Sequence, residues 1–161
     1  MNKSSTTVFI LDDLHIKQTD LLHRVGLFTI QKKTNSVAIH MTKKILIVDD
    51  SKVSRMMLKS TLAKIDEFEV IEAADGQDGV IKYWEHRPDV TFMDLTMPVM
   101  DGFEAIKLIR EGDSEAVIIV GTADIQAKSM QRVLDSGAMT VVKKPFQVDQ
   151  VNSALTKAAG G

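Results

Sequence analysis

Val90-Thr91-Phe92-Met93-Asp94-Leu95-Thr96-Met97-Pro98-Val99-Met100-Asp101-Gly102 is the stretch from which the rest of the chain is read. It opens as an apolar run, the pattern of a strand buried on both faces. Asp94 follows at once. Pro98 and Gly102 then break the chain. A carboxylate at the carboxyl end of a buried strand sits where open α/β sheets place their ligands. Alone, Asp94 is equally well explained as a turn-capping residue.

Three further stretches tip that balance. Ile45-Leu46-Ile47-Val48 is another apolar run and ends in Asp49-Asp50. Ala116-Val117-Ile118-Ile119-Val120 is followed by Gly121-Thr122-Ala123-Asp124. Val141-Val142-Lys143-Lys144 leads into Pro145-Phe146. Parallel strands share one carboxyl edge, so these ends converge. The expected product is a shallow cleft holding Asp49, Asp50 and Asp94, the Thr122 hydroxyl and the Lys144 ammonium.

The totals suit one compact domain with an extension: 161 residues, 44% hydrophobic. A net charge of -2 gives no bulk attraction to nucleic acid. Cysteine is absent, which excludes disulfides and thiol catalysis. No run of about 18 apolar residues predicts a membrane span, and a cytoplasmic protein is expected. Residues 1–40 carry five Lys/Arg against three Asp/Glu, and three of the four His. Val8-Phe9-Ile10-Leu11-Asp12-Asp13 echoes Ile45–Asp50, but the space before Met41 is too short for a second copy, and coincidence is the better account. His15, His23 and His40 have no metal-ligand spacing. Met41-Thr42-Lys43-Lys44 reads like a natural start. Residues 1–42 are therefore expected to be an N-terminal extension, poorly ordered or a misassigned start, ahead of a domain at 43–159.

From Lys44 onward strand-like and helix-like segments alternate, the signature of a parallel sheet covered by helices. Asp50 or Ser51 is placed to cap a first helix with Leu58, Leu62 and Ile65 in one stripe. Phe68–Ala73 alternates and predicts an edge strand. Asp75-Gly76 opens a second helix with Val80, Ile81 and Trp84, ended by His86-Arg87-Pro88. Gly102 starts a third, with Phe103, Ile106 and Ile109 inward. A fourth runs from about Asp124 with Ala127, Met130 and Leu134, stopped by Gly137. The last carries Val148, Val151 and Leu155. The methionines on or beside these elements (Met56, Met57, Met93, Met97, Met100, Met130, Met139) are read mostly as core filler.

The set Asp49-Asp50, Asp94 with Pro98 and Asp101-Gly102, Thr122-Ala123 and Lys144-Pro145 resembles the receiver domain of two-component response regulators, over roughly Lys43 to Ala159. Each motif is ordinary alone; all four in order are specific. The resemblance implies a flavodoxin-like, doubly wound α/β fold: a five-stranded parallel sheet in the order 2-1-3-4-5 with five helices. It implies that Asp94 accepts a phosphoryl group from a sensor histidine kinase or phosphotransfer protein. It assigns direct metal ligation to Asp50, Asp94 and the backbone carbonyl of Thr96, with outer support from Asp49. Lys144 and Thr122 would contact the phosphoryl oxygens, with Lys144 aimed by a cis Pro145. The first helix and Phe146 would face the kinase. The surface of the fourth helix, fifth strand and fifth helix would signal to a downstream protein target.

The chemistry is coherent with that resemblance. A carboxylate can attack phosphorus to form an acyl phosphate. Two anions must then meet, and Mg²⁺, which prefers oxygen ligands and keeps waters beside a phosphate, relieves the repulsion. Asp101 reads as a helix-start acid rather than a ligand. Two positions depart from the family pattern: Val141 stands where an aromatic switch residue is usual, and Lys143 where an apolar residue usually precedes the functional Lys. Thr96 and Asp124 occupy positions that tune phosphoryl lifetime in the family.

No output domain follows the last helix, so a stand-alone regulator of chemotaxis type is expected. A phosphorelay intermediate and a non-phosphorylated pseudo-receiver are the alternatives. A haloacid-dehalogenase-type phosphatase would need an acid at Thr96.

Overall fold

The computed structural model describes residues 43–123 and 127–159, with the side chains of residues 127–129 left aside. The expected extension (residues 1–42), its three histidines and Asp124 lie outside the described residues. The elements alternate without exception: β1 (Lys44–Val48), α1 (Lys52–Leu62), β2 (Glu69–Ala73), α2 (Gly76–His86), β3 (Val90–Asp94), α3 (Gly102–Gly112), β4 (Ile118–Thr122), α4 (Ala127–Asp135), β5 (Thr140–Lys143) and α5 (Val148–Ala159).

The five strands form one sheet in the order β2-β1-β3-β4-β5, every pair parallel. The burial of each strand follows its place. β1, β3 and β4 are interior and almost wholly buried, whereas β2 and β5 are edges with exposed positions. That is why the interior strands read as continuous apolar runs and β2 as an alternation. Side chains of successive strand residues point to opposite faces, which divides the core in two. Leu46, Val48, Met93, Ile118 and Val120 pack under Tyr83, Ala105, Ile106, Ile109 and Val133 of α2, α3 and α4. Ile45, Ile47, Phe92, Ile119 and Val142 pack under Leu58, Leu62, Val151 and Ala154 of α1 and α5.

The helices begin where the sequence places caps. Ser51, Asp75 and Asp101 are the N-caps of α1, α2 and α3, each side chain accepting a backbone N–H three residues on. Such a cap contributes roughly 0.5–2 kcal/mol. Asp101 is thus a helix-start acid, as its place before Gly102 suggested. α4 is followed by Gly137 at φ +95°, a left-handed stop that favours glycine.

Several apolar residues singled out in the sequence do not lie in the core. In α2, Ile81 is exposed, and the buried stripe is Gly76, Gly79 and Tyr83. Two glycines conceal that face from a hydrophobic pattern, yet α2 packs close because of them: a Cβ at Gly79 would lie 2.7 Å from Val48 Cγ1. In α4, Leu134 is exposed and Val133 is buried. In α3, Phe103 is only half-buried, its ring lying 4.3 Å beneath the Arg132 guanidinium. Met93 and Met97 are core filler, but Met56, Met57 and Met139 are exposed. Phe146 is buried against β4, where a Cβ on Gly121 would come within 2.9 Å of its ring. It is a core residue rather than the docking surface expected of it.

Candidate functional site

The register brings the acidic strand ends together. Val48 lies beside Met93, so the residues that follow β1 sit next to Asp94; Asp94 pairs with Gly121, and Thr122 with Lys143. Asp49, Asp50 and Asp94 each offer one carboxylate oxygen, and these oxygens lie within 4.8 Å of one another. Asp49 is buried, Asp94 half-buried and Asp50 exposed, as expected if adjacent residues after a strand point in different directions.

Lys144 crosses this group. Its Nζ lies 2.7 Å from Asp49 Oδ2 and 2.8 Å from Asp94 Oδ1. The Lys144 backbone N–H donates to the Thr122 carbonyl at 2.9 Å, so the end of β4 positions the Lys. The Lys144–Pro145 peptide is cis. Electrostatics follow from the geometry. Burial pushes the Asp94 carboxyl above the ordinary carboxylate range; Lys144 pulls it down and Asp49 pushes it further up. Burial works against the Lys144 ammonium too. Its hydrogen bonds to Asp49 and Asp94 outweigh that penalty and hold it above the ordinary Lys value.

Asp49 is held on every side. Its Oδ1 accepts the Ser51 N–H at 2.9 Å and its Oδ2 accepts the Ser54 hydroxyl. Its backbone N–H donates to the Ala73 carbonyl at 3.2 Å, and its own carbonyl accepts from Arg55 at 2.8 Å. Arg55 also reaches across to Glu72 on β2, 2.9 Å from Nε to Oε2. Neither Ser54 nor Arg55 stands out in the sequence. Ser54 falls in the first turn of α1, from which a side chain can return to the strand end. Arg55 needs β2 to lie beside β1, which only the topology reveals.

The loop after Asp94 forms the other wall. It is tied down by Gly102 N–H to the Leu95 carbonyl at 3.0 Å and Gly76 N–H to the Met100 carbonyl at 3.2 Å. A Cβ on Gly102 would collide with the Asp94 carbonyl, so glycine is required this close to the acid. Within the loop, Val99 has φ +68°, and Met100 N–H donates to the Pro98 carbonyl at 2.8 Å. This is a γ-turn of the strained hand on a β-branched residue. Thr96 is exposed on this loop and shares with Thr122, Phe103 and Arg132 a cleft of about 380 Å³.

The donor set is all carboxylate oxygen, two of the three acids have accessible surface, and a cation, the Lys144 ammonium, already lies among them. Such a set fits a hard divalent cation such as Mg²⁺ rather than a soft one. Asp50 and Asp94 are the acids with the most room for direct ligation, since both Asp49 oxygens already accept protein donors.

Comparison with known proteins supplies the context. Residues 45–156 match the model of the response regulator receiver domain. The chemotaxis protein CheY of Bacillus subtilis is 45% identical over 118 residues, covering 73% of this chain and 98% of the relative. CheY of Thermotoga maritima is 42% identical over 119 residues, covering 74% and 99%. Among solved structures, CheY from Borrelia burgdorferi in a CheX-CheY-BeF3-Mg complex superposes with a TM-score of 0.68 at 32% identity, covering 73% of this chain and 89% of that one. Vibrio cholerae CheY4 superposes with a TM-score of 0.67 at 33% identity, covering 73% and 98%.

Proposed function

Given that this chain belongs to the response regulator receiver domain family, we propose that residues 43–159 are a phosphoryl-accepting switch of the chemotaxis type, acting in the cytoplasm. Asp94 is the phosphoacceptor. A sensor histidine kinase or phosphotransfer protein is the donor, and a protein target reads the result. The observation that carries this reading is the Lys144 ammonium bridging Asp49 and Asp94, 2.7 and 2.8 Å away, with Asp50 beside them.

In the transfer step an Asp94 carboxylate oxygen forms a bond to phosphorus as the bond from phosphorus to the donor breaks. The leaving group takes that electron pair. Mg²⁺, when bound to Asp50, Asp94 and the Thr96 carbonyl, would neutralise the charge of the meeting anions. Lys144 lets go of its carboxylates and meets a phosphoryl oxygen as a compact positive charge. Thr122, at the end of β4 beside Lys144, supplies a hydroxyl to another. A contact made only in the phosphorylated state is what shifts a two-state equilibrium. The output face is α4, β5 and α5, where Lys143 is exposed and Val141 is half-buried against the core. The donor's docking side is α1, where Val53, Met56 and Met57 form an exposed apolar stripe at helical spacing.

The test is incubation with acetyl phosphate and Mg²⁺, read by intact mass. One phosphoryl group is expected on the wild type, and none on Asp94→Asn or in EDTA. An unmodified wild type that also fails to bind beryllofluoride would instead mark a pseudo-receiver.

A further inference from the structure

Asp49 is buried, with its side chain 5% exposed, and its Oδ2 has two donors, Lys144 Nζ and the Ser54 hydroxyl. Its Oδ1 has one, the Ser51 N–H. If Lys144 serves a phosphoryl group on Asp94, Oδ2 loses its only charged partner while staying buried. A buried carboxylate left without donors is costly.

Ser54 is placed to prevent that. A serine inside a helix commonly bonds back to the carbonyl one turn earlier. Here the hydroxyl instead reaches five residues back, to the carboxylate at the strand end. An ionised carboxylate only accepts, so Ser54 is the donor. Its backbone N–H meanwhile donates to the Ser51 hydroxyl at 3.3 Å, which fixes the first turn of α1 and so the direction of the Ser54 side chain. Arg55 holds the Asp49 carbonyl from the same turn.

We infer that Ser54 is a positioning residue: through its hydroxyl it keeps Asp49 fixed as an outer-shell acid when Lys144 moves away, and so supports divalent-cation binding at Asp50 and Asp94. This rests on the phosphoryl-switch reading. Ser54 touches neither cation nor phosphoryl group; it acts through Asp49. Mutating a group that hydrogen-bonds a metal ligand typically costs 10–100-fold in affinity, and Ser54 stands one contact further out, behind Asp49. The lower end applies here, because Ser51 still holds the other oxygen.

The experiment is a calorimetric Mg²⁺ titration of the full chain in excess beryllofluoride, the phosphoryl mimic that draws Lys144 off Asp49, at fixed pH and ionic strength. It is run on the wild type, Ser54→Ala, Ser54→Thr and Ser54→Val, each with a thermal midpoint measured in EDTA. Ser54→Ala and Ser54→Val should bind Mg²⁺ about tenfold more weakly. Ser54→Thr, which keeps the hydroxyl, should stay near the wild type. The Thr/Val pair differs by hydroxyl against methyl, so it carries the comparison if Ala disturbs packing. A purely structural role would lower the EDTA midpoint and leave Mg²⁺ affinity alone, and would overturn the inference. So would equal or tighter binding in Ala and Val, because the hydroxyl would then compete with the cation. If the wild type binds Mg²⁺ and accepts a phosphoryl group while all four affinities agree, only this inference falls. If the wild type does neither, the switch reading falls and takes this with it.

Discussion

Thr91 lies in the middle of β3, wholly buried, and its Oγ1 has no hydrogen-bond partner among the described residues. Thr61 in α1 is also buried, but its hydroxyl donates to the Met57 carbonyl at 3.0 Å. The same substitution, Thr to Val, should therefore have opposite signs at the two sites. At Thr91 it removes a buried unpaired hydroxyl, which costs about 1–3 kcal/mol. It installs a methyl, whose burial contributes about 0.8 kcal/mol. Thr and Val both suit a strand. Thr91→Val should thus stabilise by about 2–4 kcal/mol, a gain on the order of ten degrees in a domain of this size. Thr61→Val forfeits a hydrogen bond and should destabilise by about 0.5–1.5 kcal/mol. Urea unfolding is the assay, with midpoints moving in opposite directions and the slope unchanged. A neutral or destabilised Thr91→Val would refute the argument, because it would mean that the hydroxyl is satisfied in solution.

Other consequences are open to measurement. Val99 is 79% exposed with φ +68°, so Val99→Gly should relieve more strain than its chain entropy costs. A net gain of about 1 kcal/mol is expected in thermal unfolding, and a loss would mean that the Val side chain makes contacts that matter. The Glu72 carboxyl is held below its ordinary value, first by Lys59 and then by Arg55. Its folded-state pKa is depressed, so its contribution is present above pH 4.5 and fades as pH falls through the lowered value. Glu72→Gln should therefore destabilise at neutral pH and flatten the acid side of the stability profile; a profile unchanged by Gln would contradict this. Mg²⁺ should stabilise the wild type by mass action, about 2.7 kcal/mol at 100 times its Kd. Asp50→Asn should lose most of that gain, and a full Mg²⁺-dependent rise of the midpoint in Asp50→Asn would remove this acid from the ligand set.

What the sequence discloses depends on whether one segment suffices. The three interior strands and Asp49, Asp50, Asp94 and Lys144 are legible because each apolar run ends in a polar residue at one shared edge, and four such endings are hard to obtain by accident. The caps are legible for the same local reason: Asp75 before Gly76 and Asp101 before Gly102 are start signals in themselves. The buried face of α2 is not, because its stripe is Gly76, Gly79 and Tyr83, and glycine carries no hydrophobic signal. Val133 and Leu134 are adjacent and both apolar, so periodicity alone chooses poorly between them. Phe146 follows a Pro and looks like a surface aromatic until Gly121 on β4 makes room for it. Ser54 and Arg55 matter through partners on β1 and β2, and their role appears only once those strands are neighbours.

Asp94, and no other acid of the cluster, is the proposed phosphoacceptor. The most direct test is borohydride reduction of the protein after acetyl phosphate treatment in Mg²⁺, followed by peptide mass mapping. Reduction of an aspartyl phosphate yields homoserine in place of the Asp. Homoserine is expected at position 94 alone, dependent on Mg²⁺ and lost in Lys144→Ala. Homoserine at position 49 or 50, or none at all from a well-folded sample, would contradict it.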